Sequence, residues 1–353
     1  MNRFVRFCQH TAAMWGNASA QFNLGIQYAE GHGVPQDPAI AAAWFTKAAK
    51  RGLVEAQFNL GLLYEQGNGV PQDFAAAKMW WEKAASQGLA DAQYALGLLY
   101  AQGQGGAQDF AAARHWYEKA ASQGYAPAQF NLGLLCANGQ GGAQDFAAAR
   151  DWYTKAADQS LADAQYALGN LYRQGEGVQQ DFATARHWYD KAAKQGHAAA
   201  LHNLGALHAE GKGGPQDFQT ARTCWQQLAS QGYAPAQFNL GRLYADGRGV
   251  LRDMTAARTL WEQAASQGHL DAQRNLGSLY EQGEGVLQDF AAARHWYEKA
   301  ASQGDATAQF NLGLLYANGQ GGAQDMAAAK TLFEQACAKG LKDACAKVKE
   351  LSD

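Results

Sequence analysis

The sequence predicts an all-α protein, a solenoid of helix–loop–helix units repeated every 36 residues. Three observations predict it. The 353-residue chain aligns with itself at that single period without insertion or deletion. Each unit carries two apolar stripes at helical spacing. A Gly-x-Gly stretch ending in aspartate separates the stripes, and a glycine or serine follows the second. Ala20, Ala56, Ala92, Ala128, Ala164, Ala200, Ala236, Ala272 and Ala308 open nine complete units, and Ala344 opens a truncated tenth.

Helix A of a unit is read from Ala56, Leu60, Leu63 and Tyr64, which lie at i, i+4, i+7 and i+8 on one face. The loop from Gly67 to Asp73, GNGVPQD, resembles a phosphate cradle at first sight. It joins two helical patterns rather than a strand and a helix, so the context of a dinucleotide or nucleoside-triphosphate loop is missing. Its nine occurrences point to architecture: the first glycine ends helix A, the second permits a tight path, and the aspartate starts helix B. Helix B is read from Phe74, Ala77, Trp81, Ala84 and Ala85, with Gly88 beyond its last turn. Only Ser160 breaks that glycine column. Residues 6–16 align with the end of a helix B. The expected organisation is one repeat domain over 1–353, with a partial unit at 1–19, nine units over 20–343 and a partial helix A at 344–353. That makes twenty helices.

The net charge is −3, which offers no basic field for nucleic acid and no acidic tail. No apolar run approaches the roughly 18 residues of a membrane span, so no membrane insertion is expected. The N-terminal stretch MNRFVRFCQHTAAMWGN lacks the apolar segment of a secretory signal. No cofactor motif is present, and a monomer is expected.

The Leu60-Gly61-x-x-Tyr64 element, followed by a small residue in helix B, resembles the tetratricopeptide repeat, which is 34 residues long and often ends in proline. The longer loop with Gly-x-Gly and the closing AASQG are departures that resemble the Sel1-like repeat (SLR) family, over residues 6–351. The resemblance implies a right-handed superhelix that serves as a protein-interaction scaffold. It also implies a role for Cys337 and Cys345, which replace the usual alanine and glutamine together in the last turn. Cysteine-rich secreted bacterial SLR proteins bridge helix B to the next helix A at this spacing. A Cys337–Cys345 disulfide is therefore expected, and it suggests a periplasmic or secreted location, against a cytoplasmic one implied by the missing signal. Cys8, Cys136 and Cys224 replace aromatic or core positions and read as packing.

Nine of the ten tryptophans fall in two adjacent helix-B columns, where stacking demands large apolar side chains. His115, His187 and His295 share one helix-B position in separate units and read as solvated, because a zinc site needs convergent ligands. No nucleophile–base constellation recurs, so no enzyme is expected.

The remaining candidate is the helix-A face, concave by analogy with tetratricopeptide solenoids. Asn23, Asn59, Asn131, Asn203, Asn239, Asn275 and Asn311 form a row that Ala95 and Ala167 interrupt. Asparagine is a poor residue inside a helix, and its amide can donate and accept, which suits an extended peptide backbone. It could equally hold neighbouring helices together. Residues 108–150 and 288–330 differ at only five of 43 positions, so the copies are recent, and the unusual helix-A residues lie between them. These are Asn170, Arg173, His202, His208, Arg242, Arg274 and Ser278. The expected ligand site comprises Asn203, Asn239, Asn275, Arg242 and Arg274, the asparagines gripping main chain and the arginines an acidic group. The expected function is a scaffold that binds a peptide or protein segment along this face. Two alternatives stand beside it: a cell-wall or β-lactam-type ligand-binding protein or hydrolase, as the resemblance to cysteine-rich relatives implies, and a purely structural spacer.

Overall fold

A helix followed by a left-handed glycine, a short loop and an aspartate cap is the local rule that builds the whole chain. The structure, a computed structural model, describes residues 11–351. Among them there are no strands. The helix-A elements are α1 (Ala18–Glu30), α3 (Val54–Gln66), α5 (Ala90–Gln102), α7 (Ala126–Asn138), α9 (Ala162–Gln174), α11 (Ala198–Glu210), α13 (Ala234–Asp246), α15 (Leu270–Gln282), α17 (Ala306–Asn318) and α19 (Lys342–Glu350). The helix-B elements are α2 (Pro38–Lys50), α4 (Phe74–Ser86), α6 (Phe110–Ser122), α8 (Phe146–Asp158), α10 (Phe182–Lys194), α12 (Phe218–Ser230), α14 (Met254–Ser266), α16 (Phe290–Ser302) and α18 (Met326–Ala338). Of the expected leading helix B, only the end at residues 11–14 is described. Its earlier part, with Cys8, lies outside the described residues.

The loop after α3 shows why GNGVPQD recurs. Gly67 takes the left-handed conformation (φ 69°), and its N–H reaches the Leu63 carbonyl. Gln72 Nε2 donates to the Glu65 carbonyl at 2.7 Å, and the Asp73 N–H donates to the Tyr64 carbonyl at 2.9 Å. These bonds satisfy carbonyls that a helix end leaves open. Asp73 Oδ1 then accepts from the Ala75 and Ala76 N–H groups at 2.9 and 3.0 Å and starts α4. The Gln72 and Asp73 side chains of the loop are thus both engaged in turning the chain. In the B-to-A turns, Ser160 adopts φ 65°, so the serine takes the left-handed place that glycine holds elsewhere.

The chain divides into two compact units, Met1–Asp181 and Phe182–Asp353, at the loop between α9 and α10. Within each, every helix packs chiefly on its neighbours in sequence. Two repeated contacts make that packing specific. The first is a close approach of helix A to its own helix B. A Cβ added to Gly133 in α7 would stand 2.5 Å from Tyr153 Cε1 in α8, and one on Gly241 in α13 would stand 2.6 Å from Trp261 Nε1 in α14. Where the aromatic is tryptophan it also bonds: Trp81 to the Phe58 carbonyl (3.1 Å), Trp225 to that of His202 (3.2 Å) and Trp261 to that of Phe238 (3.2 Å).

The second is a buried glutamine ladder. Gln57 in α3 donates to the Ala49 carbonyl at the end of α2 (3.2 Å) and accepts from Gln87 after α4 (2.9 Å). Gln273 repeats this with Ala265 (3.0 Å) and Gln303 (2.7 Å). One buried side chain thus ties a helix A to the last turn of the preceding helix B and to the end of its own.

Cys337 and Cys345 fall on this ladder. One period earlier, Gln309 donates to the Ala301 carbonyl at 3.3 Å. At the last turn the two cysteines are joined instead, their Cα atoms 4.7 Å apart, within the range a disulfide spans. A covalent staple replaces the hydrogen-bonded one where α19, among the described residues, packs chiefly on α18. Cys136 and Cys224 are free and buried, as the packing reading expects, and burial pushes the Cys224 thiol up to about 11.

In protein purified without reductant, Cys337 and Cys345 should both escape alkylation in mass spectrometry. Reduction should weaken the docking of α19 by on the order of 2–3 kcal/mol, seen as faster hydrogen exchange confined to that helix. Free alkylation of both residues would contradict the assignment.

Candidate functional site

The asparagine position and those three and seven residues beyond it form a partly exposed stripe along α13 and α15. In α13 that stripe is Asn239, Arg242 and Asp246; in α15 it is Asn275, Ser278 and Gln282. Two recesses follow it. A cavity of about 150 Å³ is lined by Asn239, Arg242 and Asp246 with Ala206 and Glu210 of α11. A second, of about 240 Å³, is lined by Asp246, Asn275, Ser278 and Gln282 with Arg252 and Glu284 from the loops. Asp246 borders both. Asn203 lines neither of the two.

The two arginines expected to act together have different surroundings. Arg242 is exposed, and its guanidinium lies 5.9 Å from the Phe238 ring, one turn back. It makes no ion pair among the described residues. Arg274 is held on both sides, by Asp305 at 2.7 Å and by Asp271. Burial works against its charge, but the bond to Asp305 and the two carboxylates outweigh that and raise its pKa. Asp305 is largely buried, its side chain 8% exposed, and it also caps α17 by accepting from the Ala308 N–H at 2.7 Å.

Comparison along the repeat explains the pair. The residue 31 positions before each helix-A cap is aromatic in the other units, and in three of them it packs on a ring at the cap. Tyr94 packs on Tyr125 (5.3 Å between ring centres), His202 on Tyr233 (5.7 Å) and Phe238 on His269 (4.7 Å, stacked). Arg274 and Asp305 replace such a ring pair with an ion pair. The Arg274 guanidinium is therefore a structural link between α15 and α17, and Arg242 is the groove arginine with a free fork.

The asparagine row also divides. Asn131 donates to the Tyr94 hydroxyl at 3.4 Å and Asn311 to the Tyr297 hydroxyl at 3.2 Å, so these two hold neighbouring helices. Asn203, Asn239 and Asn275 have no side-chain hydrogen bond among the described residues. Asn170 and Arg173 belong to the first compact unit and the other five to the second. His202 lies between the Trp225 and Tyr233 rings; burial, with some help from His269, lowers its pKa below 6.5. His208 is lowered too, by burial and then by Arg186.

The tryptophan columns separate into an inner and an outer one. Trp81, Trp225 and Trp261 are buried against helix A. The outer column is covered by a lysine three residues on: Lys47 over Trp44 (4.1 Å), Lys83 over Trp80 (4.2 Å), Lys119 over Trp116 (4.5 Å), Lys155 over Trp152 (3.8 Å), Lys191 over Trp188 (4.4 Å) and Lys299 over Trp296 (4.8 Å). His115, His187 and His295 are exposed and edge-on to Trp116, Trp188 and Trp296. No group of three or more histidine, cysteine, aspartate or glutamate residues among the described residues could hold a metal ion. No described helix is long and apolar enough to cross a membrane.

Helix pairs of one length, stacked in one register and fastened by the same bonds, define an α-solenoid. The Sel1 repeat pattern matches this chain nine times without a gap, at residues 18–53, 54–89, 90–125, 126–161, 162–197, 198–233, 234–269, 270–305 and 306–341, two residues ahead of the register that begins at Ala20. The chain belongs to the Sel1 repeat family. Among solved structures it is similar to a protective antigen of uropathogenic Escherichia coli strains that displays an SLR fold. The two share 34% identity over 98% of this chain and 82% of that one, with a TM-score of 0.81. It is also similar to a Sel1 repeat protein from Oxalobacter formigenes, with 31% identity over 89% of this chain and 93% of that one, and a TM-score of 0.73. No curated protein matches the sequence. Sel1 repeats are scaffolds that typically mediate protein–protein interaction and are generally non-enzymatic.

Replacing Arg274 with Ala should leave the Asp305 carboxylate without its partner and cost about 1–3 kcal/mol in denaturant unfolding. Arg274→Phe with Asp305→Leu, the pairing of other units, should recover most of that loss. Equal loss in both variants would contradict the structural role.

Proposed function

We propose that the face formed by α11, α13 and α15 binds an extended segment of a partner protein that carries an acidic side chain or a free C-terminus. Asn203, Asn239 and Asn275 hold the segment's main chain, and Arg242 takes its carboxylate. The observation that carries this reading is Arg242 itself: an exposed guanidinium without an ion-pair partner, beside Asn239 in a recess that runs on towards Asn275. An arginine fork matches a carboxylate through two parallel bonds, and an asparagine amide can pair with a peptide group on both its donor and acceptor sides. The spacing of the asparagines by one repeat gives main-chain affinity with little sequence preference, while one guanidinium gives direction. Arg274 supports the wall of the site through Asp305 and does not touch the ligand.

The test is selection from a displayed library of random peptides with free C-termini. Enrichment of acidic residues or of a particular terminal residue is expected. Arg242→Glu should cost about 2–5 kcal/mol of binding to the enriched peptide if the charge pair is buried, with the fold intact by circular dichroism. Arg274→Phe with Asp305→Leu should bind as the parent does. Undiminished binding by Arg242→Glu would place the site elsewhere.

A further inference from the structure

The residue that follows the central glycine of helix A is leucine or isoleucine in five units, as Ile26, Leu62, Leu98, Leu134 and Leu314. Its place is between the ring of its own helix B and the helix A of the next unit. Ile26 packs on the cluster that holds Phe45 with Leu60 and Leu63. Leu62 packs on the one that holds Trp81 with Leu96 and Leu99. Along α11, α13 and α15 this residue is lost three times running, to Ala206, Arg242 and Ser278.

Ala206 packs on the corresponding cluster, which holds Trp225 and Leu243, but it ends at its Cβ. The first groove recess opens there, lined by Ala206, Trp225 and Leu243. One repeat on, Arg242 is exposed, with its guanidinium near the Phe238 ring of its own helix. The second recess opens in the place it leaves, against Trp261 and Leu279. The rings record the loss: Trp225 and Trp261 are 5% and 6% exposed, while their counterparts in the five leucine or isoleucine units, Phe45, Trp81, Tyr117, Tyr153 and Phe333, reach at most 3%. The acids that line the two recesses are already paired, Glu210 with Lys212 (2.7 Å), Asp246 with Arg248 (3.4 Å) and Glu284 with Arg252. Arg242, on the helix between the recesses, is the charge left over among the residues that line them.

We propose that the two recesses take two leucine-sized side chains of the bound segment, three residues apart, with an acidic side chain between them on Arg242. This rests on the peptide-binding reading of the face and names its ligand, an apolar–x–x–apolar stretch with aspartate or glutamate at a middle position. Each recess lies where five other units seat a leucine or isoleucine against the same kind of wall, which sets the size and polarity of the occupant. Packed helices lie about 8–10 Å apart, and an extended polyproline-type segment brings every third side chain to one face at about 9 Å. A recess on each side of α13 needs a chain that runs past Arg242, which favours an acidic side chain over a chain end. Ala206 is then the residue that sets specificity, because leucine there would close the first recess.

Isothermal titration of the full chain with three peptides, acetylated and amidated at their ends, tests the proposal. One carries Leu-Pro-Asp-Leu between Gly-Pro flanks, the second Ser-Pro-Asp-Ser and the third Leu-Asp-Leu. The first should bind at least about tenfold more tightly than the other two. The Trp225 and Trp261 indole N–H signals of the unmutated chain should move as it is added, a readout that does not depend on any variant folding. Ala206→Leu, which restores the residue of other units, should weaken binding of the first peptide by about tenfold or more, with circular dichroism unchanged. Equal affinity for the leucine and serine peptides, unmoved indole signals, or undiminished binding by Ala206→Leu would overturn the proposal. So would tighter binding of a peptide that ends in a free carboxyl after its first leucine. Arg242→Glu separates this inference from the reading beneath it. Equal binding of the leucine and serine peptides, with both lost in Arg242→Glu, would keep Arg242 as the carboxylate site and remove the recesses. Failure of every peptide, or binding unchanged by Arg242→Glu, would remove both.

Discussion

The depth to which helix A sinks against helix B is fixed by a missing side chain. In eight of the helices A a central glycine faces an aromatic ring on its own helix B, and a Cβ there would overlap the ring. Glycine inside a helix costs roughly 1 kcal/mol relative to alanine, so its recurrence requires a gain elsewhere. The gain is the buried face of the ring and, where the ring is tryptophan, a bond from its N–H to a helix-A carbonyl. The glutamine ladder depends on this depth. Gln57 reaches the Ala49 carbonyl and Gln87 together only because α3 lies close enough to both helices that flank it.

With the helices fixed by these inward contacts, the remaining positions are free to differ. Each helix packs on its neighbours along the chain, so a change in one unit is absorbed locally. The ring pair that joins consecutive helices A can become the Arg274–Asp305 ion pair, and the Ala301–Gln309 staple can become the Cys337–Cys345 link. The same tolerance lets Asn239, Arg242, Ser278 and Asn275 vary on the open stripe and lets Leu260 stand where tryptophan stands in other units. Function in such a chain is written in departures from the repeat, and each departure must be tested for a compensating neighbour before it is read as a site.

That test separates what was legible in the sequence from what was not. The period, the helix ends, the aspartate caps and the glycine turns are local, and even the exception at Ser160 keeps the conformation its column demands. The cysteine pair was legible because both partners changed together within one turn. The ion pair of Arg274 was not legible because its partner lies 31 residues away, at a position that becomes adjacent only when helices stack. The role of the glutamine column is not legible along the chain, since its bonds reach 8 residues back and 30 forward. The joint exchange of tryptophan and lysine for leucine and glutamine at Leu260 and Gln263 was visible along the chain, but its packing on Leu228 of the preceding helix B is a property of stacked helices.

The central claim is that the ring sets the need for glycine, and a double-mutant cycle at Gly133 and Tyr153 tests it most directly. Denaturant unfolding should show Gly133→Ala costing about 1–3 kcal/mol, as overpacking does, despite the better helix propensity of alanine. In a Tyr153→Ala background the same substitution should be neutral or stabilising. An equal cost in both backgrounds would mean that the glycine is required for some reason other than the ring, and the account would be wrong at its base.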